Sequence, residues 1–235
     1  MNIISKLHFF YQRKIEPGFR IDKDALVVDI GSGDKPFWRA DVYVDSLSFG
    51  NVQRTTRSQT IHDIGTFVDA KVEKLPFKDN AFDFSFCSHL LEHVPDPKKA
   101  IKEITRISKA GYIEVPNGVI ETIQPFDSHL WFIFENKNVL FFNRKSKKMH
   151  EVLTQNGINY SNVIHTIEKP FIRKYWKKNI QVEVLDTYKE SEKFYADNKK
   201  HAPKEKTVNV YLTLVKLMRI LWYKEKQIPK RIYTK

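Results

Sequence analysis

The stretch VVDIGSGDKP, residues 27–36, reads as a buried strand that runs into a glycine turn. Residues 25–30 (ALVVDI) form an apolar run ending at an acid and a glycine, a pattern that suits a strand covered on both faces of a parallel sheet. Gly31 and Gly33 follow directly. Glycine there lets the backbone turn sharply and lets a ligand come close to the amides. Asp45 ends the next apolar stretch, residues 41–45 (DVYVD), twelve residues after Gly33. In an open parallel sheet, ligands bind beyond the carboxyl ends of the strands. An acid at the end of the second strand can accept two hydrogen bonds from a ribose diol. The glycine turn and Asp45 together predict a nucleoside-bearing ligand; the alternative is an ordinary strand-to-helix turn. A dinucleotide cradle would place a third glycine where Pro36 stands, followed here by Phe37 and Trp38. The spacing of a P-loop is absent.

Working outward, residues 65–70, 81–87 and 111–115 read as further strands, the last stopped by Pro116. Between the last two, Ala100, Ile101, Ile104 and Ile107 lie on one face of a helix. Asp96 is its expected N-cap, Pro97 its first turn, and Gly111 marks the end of the region. Strands alternating with helices imply a mostly parallel α/β sheet. After Pro116 the rhythm changes. Residues 138–143, 179–185 and 207–214 read as strands, and 216–223 as a helix carrying Met218, Leu221 and Trp222. A single amphipathic helix over 207–223, able to lie on a membrane interface, is the rival reading. Residues 2–14 suggest a short helix. The organisation expected is an N-terminal helical segment (1–24), a core (25–168) and a basic elaboration (169–235) that completes the fold or contacts substrate.

Composition sets outer limits. In 235 residues, 41% are hydrophobic and 29% charged, enough apolar material for a sizeable core. The lone Cys87 excludes a disulfide framework and a cysteine-built zinc site; in its apolar run it reads as a core residue. No apolar stretch reaches the length of a membrane span, no signal-peptide pattern opens the chain, and a cytoplasmic protein is the expectation. The net charge of +12 is uneven: residues 169–235 carry 18 Lys/Arg against 7 Asp/Glu, the rest 22 against 21. Such a region suits nucleic acid, an anionic membrane surface or a phosphorylated substrate, or is a solvated lysine-rich face.

A second motif narrows the reading. LPFKDNAFDFSFCSHLLEHVPDP, residues 75–97, taken with DIGSGDKP, residues 29–36, resembles the class I S-adenosylmethionine-dependent methyltransferases. The likeness is to the small-molecule, type 11-like branch with D-x-G-x-G, L-P-F-x-x-x-x-F-D and L-E-H-V-x-D-P. It runs from about residue 27 to 117. It implies a Rossmann-like, seven-stranded, mostly parallel sheet with a C-terminal α+β elaboration, and S-adenosylmethionine as cofactor. By position, the resemblance puts Asp29, Gly31 and Gly33 around the methionine half and Asp45 on the ribose. Ser88 and His89 would line the site near the sulfonium. The family's adenine-contacting acid falls on Lys71, so either Asp69 serves instead or the backbone around Val72 does.

Methyl transfer needs alignment of the acceptor and exclusion of water, and a base helps where the acceptor is a hydroxyl. His93, His89 and His129 are the candidate catalytic residues, with Glu92 an orienter or metal ligand; no dedicated metal site is expected. Residues 124–134 (QPFDSHLWFIF) bring Asp127, His129 and Trp131 into an aromatic stretch that would suit a sugar pocket. The resemblance thus implies a methyltransferase for a small molecule, first a sugar, nucleotide-sugar or polysaccharide hydroxyl. Two alternatives stand beside it. One is an RNA methyltransferase that uses Tyr175 and Trp176 among the surrounding cations to stack bases. The other is a non-catalytic protein that binds S-adenosylmethionine.

Overall fold

The computed structural model describes residues 21–46, 64–123, 125–146, 171–185, 216, 219, 226 and 228–234. The expected helix over 2–14 and strand over 207–214 lie outside these residues. Of 216–223, Lys216 and Arg219 are described, and both are helical.

Five strands alternate with the chain's turns and crossovers: β1 (Val27–Ile30), β2 (Val42–Asp45), β3 (Thr66–Asp69), β4 (Phe82–Ser88) and β5 (Ser108–Pro116). They pair in parallel in the order β3-β2-β1-β4-β5. All four residues of β1 are buried, as a strand covered on both faces requires. A sixth strand, β8 (Phe171–Lys177), joins β5 antiparallel at the sheet's edge. The fold is α/β with a mostly parallel Rossmann-like sheet, six-stranded among the described residues where seven strands were expected.

The helix α1 (Pro97–Ile107) forms where its apolar period predicts. It buries Ala100, Ile101, Ile104 and Ile107, with Asp96 accepting a hydrogen bond from the Lys99 amide at 2.9 Å. Its end differs from expectation. Ile107 passes directly into β5 at Ser108, and Gly111 lies inside the strand. The reason is space: a Cβ at Gly111 would stand 2.4 Å from Ser85 Oγ on β4 and 2.7 Å from the Trp176 ring on β8. This glycine fits three strands together and terminates nothing.

In β8 the side chains alternate strictly. Ile172, Lys174 and Trp176 are buried, while Arg173, Tyr175 and Lys177 are exposed. The expected base-stacking pair is therefore split, because neighbouring residues of a strand face opposite ways. Trp176 belongs to the core, and Tyr175 stacks near Phe84, with ring centroids 6.3 Å apart. Lys174 is spent internally, donating to Glu135 Oε1 at 2.7 Å and to the Asn138 carbonyl at 2.9 Å.

A second, three-stranded sheet follows Pro116 and the short helix α2 (Gly118–Ile123). The strands β6 (Trp131–Asn136) and β7 (Val139–Arg144) form a hairpin, and β9 (Gln181–Val184) runs parallel to β7. Lys137 and Asn138 make the two-residue turn with φ of 44° and 69°; positive φ at both positions is what a type I′ turn demands. Trp131, read from sequence as part of an acceptor pocket, is instead a core residue. It is 2% exposed, its Nε1 donates to the Val94 carbonyl at 2.8 Å, and Arg144 covers its ring.

Candidate active site

At the carboxyl edge of β1 the chain turns through Gly31 and Gly33, with φ of 75° and 51°. The amides of Gly31 and Ser32 both donate to the Val44 carbonyl of β2, at 2.8 and 3.1 Å. Asp45 Oδ2 accepts the Gly33 amide at 2.8 Å, and its Oδ1 accepts the Ser46 amide at 2.7 Å. Asp29 is buried and accepts the Phe37 amide at 2.6 Å, which braces the far end of the same turn. Asp69 ends β3 directly opposite Asp45 in the strand register and is exposed. Two carboxylates thus close adjacent strands beside the glycine turn. Val72 sends its side chain into the core. Ser32 Oγ is buried in the turn with no hydrogen-bond partner among the described residues. A tight, positive-φ turn holding a buried orphan hydroxyl, with two acids beside it, fits a nucleoside-bearing ligand.

The end of β4 meets this turn. A Cβ on Gly31 would lie 3.0 Å from Leu90 side-chain atoms, so the segment after β4 is pressed against the glycines. His89 holds a left-handed backbone, φ 57°, unusual for a residue with a side chain. Its surroundings enforce that geometry. The His89 amide donates to the Glu114 carbonyl at 2.9 Å, Nδ1 lies 3.0 Å from Glu92 Oε1, and Nε2 lies 3.3 Å from Glu114 Oε1. Phe171 of β8 sits edge-on to the ring at 5.2 Å. Glu92 and Glu114 are both buried.

Glu114 is the hub that sequence reading missed. From β5 its carboxylate accepts Ser88 Oγ at 3.2 Å, Tyr112 Oη at 3.0 Å and Arg173 Nε at 2.8 Å. The available signal was an acid inside an apolar strand, GYIEV, where a buried charge must have partners.

His93 and His129 lie together away from the glycine turn's hydrogen bonds, their rings edge-to-face with centroids 4.7 Å apart. His93 Nδ1 pairs with the Ser128 carbonyl at 2.9 Å, and desolvation pulls the ring's pKa down to about 3, with the nearby His129 adding to the effect. His93 is therefore neutral at physiological pH. His129 Nδ1 pairs with Glu121 Oε1 of α2 at 2.5 Å, so its carboxylate partner is Glu121 and not Asp127. Burial works against the Glu121 carboxylate, but the hydrogen bond from His129 and the ion pair with Lys145 hold its pKa below the usual range.

The model of the methyltransferase domain family matches residues 29–113, from Asp29 of β1 into β5. A demethylmenaquinone methyltransferase of Staphylococcus aureus is 29% identical over 180 residues, covering 68% of this chain and 71% of that protein. These matches support a class I S-adenosylmethionine-dependent methyltransferase. The chain is an enzyme whose cofactor is S-adenosylmethionine. Among solved structures, a methyltransferase of Thermotoga maritima is 17% identical with a TM-score of 0.38, over 65% of this chain and 76% of that one. Another, of Mesorhizobium loti, is 13% identical with a TM-score of 0.33, over 53% and 60%. In this methyltransferase no described helix is long and apolar enough to cross a membrane.

Proposed function

We propose that this methyltransferase acts on a hydroxyl of a small molecule, a sugar or nucleotide-sugar first, in polysaccharide biosynthesis in the cytoplasm. The observation that carries the reading is His89, fixed between Glu92 and Glu114 on a left-handed backbone, next to Leu90, whose side chain packs against Gly31. S-adenosylmethionine, when bound, supplies a methyl group on a cationic sulfur that leaves as a neutral thioether once an acceptor atom attacks. The rest belongs to the chain. Asp45 and Asp69 hold the nucleoside end, with the backbone at Val72 beside the adenine. Asp29 keeps the turn closed around Gly31 and Gly33. Ser88 and His89 face the acceptor.

The proton that the acceptor hydroxyl loses as the new O–C bond forms passes to the cluster of His89, Glu92 and Glu114 at the end of β4. The carboxylates of Glu92 and Glu114 flank the ring and fix its position. Phe171 offers a ring face for a sugar to stack on. His93 and His129 support this arrangement from behind Glu92.

A second reading has its own support. The Staphylococcus aureus relative is named for a quinone acceptor, and an acceptor with an aromatic hydroxyl would use the same proton path. The test is a panel of sugar, nucleotide-sugar and aromatic hydroxyl acceptors, with S-adenosylhomocysteine release as the readout. Turnover on a sugar hydroxyl that falls roughly 10²–10⁴-fold in kcat in His89→Ala, with cofactor affinity unchanged, supports the proposal. Turnover on the aromatic acceptors alone, or an unaffected His89→Ala, overturns it.

A further inference from the structure

Beside the proposed acceptor wall, Glu92, His93 and His129 each offer one potential ligand atom, and these atoms lie within 4.8 Å of one another. We infer that these three side chains form a binding site for a divalent transition metal of the zinc class. The inference stands on geometry independent of the acceptor's identity.

Hydrogen bonding fixes how the two rings can act. A carbonyl oxygen only accepts, so His93 must carry its proton on Nδ1 and donate it to Ser128. A carboxylate at 2.5 Å likewise takes the Nδ1 proton of His129. With Nδ1 so engaged, each ring has Nε2 left to offer a metal. This is how metal-ligating histidines are held: the second nitrogen donates to a carbonyl or a carboxylate, which fixes the tautomer and raises the basicity of the ligating one. Here one ring has each kind of partner. Glu121 is itself secured by Lys145, whose side chain is 4% exposed, so the outer support is a built chain and not a surface accident. Glu92 supplies the negative charge.

Zinc holds nitrogen and carboxylate oxygen at about 2.0–2.2 Å, so donor atoms around it lie roughly 3–4 Å apart. Side-chain rotations that draw the three groups together by about 1 Å complete the set. Three protein ligands leave a fourth position open, the pattern of catalytic zinc sites, and two histidines with one carboxylate also suit ferrous iron. The ion would tie the turn after β4 to the segment before β6, already joined where the Leu130 amide donates to the Glu92 carbonyl at 2.8 Å. Because Glu92 also contacts His89, occupancy would influence how firmly His89 is placed.

The test uses the full chain, stripped with a chelator and dialysed against Zn²⁺ alone, with bound zinc measured by mass spectrometry. The expected result is one equivalent per chain, lost in His93→Ala and in His129→Ala, with affinity roughly 10–100-fold weaker in Glu121→Gln. Circular dichroism checks that each variant is folded. Should a histidine variant fail to fold, Co²⁺ added to the stripped wild-type chain decides. Intense visible absorption from a low-coordinate, imidazole-bearing site supports the proposal, and the weak spectrum of hydrated Co²⁺ overturns it. No retained zinc in the wild-type chain, or a full equivalent retained in both folded histidine variants, also overturns it.

Discussion

Gly111 and Glu114 sit three residues apart on β5, and each is explained by what lies across the neighbouring strands. Gly111 exists for space between Ser85 and Trp176. Gly111→Ala is predicted to cost about 1–3 kcal/mol, the range for overpacking a well-filled core, read as a lower denaturant midpoint with an unchanged slope. Glu114 exists for charge, buried and surrounded by Ser88, Tyr112, Arg173 and His89. The sequence shows neither cause, because, Tyr112 apart, the atoms responsible lie more than twenty residues away along the chain. The glycine turn is the opposite case. Gly31, Gly33 and Asp45 were legible because a strand end, a turn and the next strand end are local, and the structure joins them by one hydrogen bond between Gly33 and Asp45.

At the scale of elements, α1 is held to the core by more than its apolar face. Arg106 in its last turn donates to the Phe77 carbonyl at 2.7 Å, the Leu75 carbonyl at 3.2 Å, Asp79 at 2.9 Å and Glu103 at 2.7 Å. Glu103 in turn accepts the Leu75 amide at 2.9 Å. The pair therefore fastens the L-P-F segment, which precedes β4, onto the helix that follows it. Arg106→Met keeps the stem but loses the planar fork of donors, and is predicted to cost about 1–3 kcal/mol in unfolding free energy.

The same tie predicts a pH dependence. The hydrogen bond from Arg106 is the main cause holding the Glu103 carboxyl below its ordinary range, with burial acting the other way. A carboxyl whose pKa is lowered on folding stabilises the fold while it is ionised, and that contribution is lost as pH falls below about 4. Thermal unfolding of the wild-type chain should lose stability through that window. Arg106→Met should lose less, and equal slopes for the two proteins would contradict the assignment.

Elements differ in how readable they were. β1, β2, β4 and α1 announce themselves through continuous apolar runs or a 3.6-residue period with a cap. β6 and β8 do not. In β8 the inward positions are Ile172, Lys174 and Trp176, and a lysine at a core position breaks the alternation that marks a half-buried strand. Among the described residues, Glu135 and Asn138, more than thirty residues away, make that lysine acceptable inside. Trp131 of β6 and His129 just before it looked like pocket residues because aromatic and polar side chains stood together in the sequence. The fold separates them, Trp131 into the core and His129 onto Glu121.

For the whole molecule, the basic final third also reads differently in three dimensions. Lys174 is consumed within the second sheet's turn, and Arg173 by Glu114. Arg219 donates to the Ala40 carbonyl at 2.8 Å and to Tyr43 Oη at 2.6 Å, and Lys226 to the Ala25 carbonyl at 2.6 Å. Arg173, Arg219 and Lys226 thus bond to the sheet that carries the glycine turn or to the segments beside it, and Lys174 ties β8 to the second sheet. A charge count alone cannot distinguish cations that serve the fold from cations turned to a partner, because both contribute equally to the +12.

The central claim is that the turn at Gly31 and Gly33, with Asp45 beside it, is where the adenosyl cofactor binds. Calorimetric titration of S-adenosylhomocysteine into the full chain and into Asp45→Ala tests it most directly. One site per wild-type chain is predicted, with binding weaker by about 1–3 kcal/mol in the variant, the usual loss for a hydrogen bond to a charged group. No binding to the wild-type chain, or equal affinity in both proteins, would contradict it.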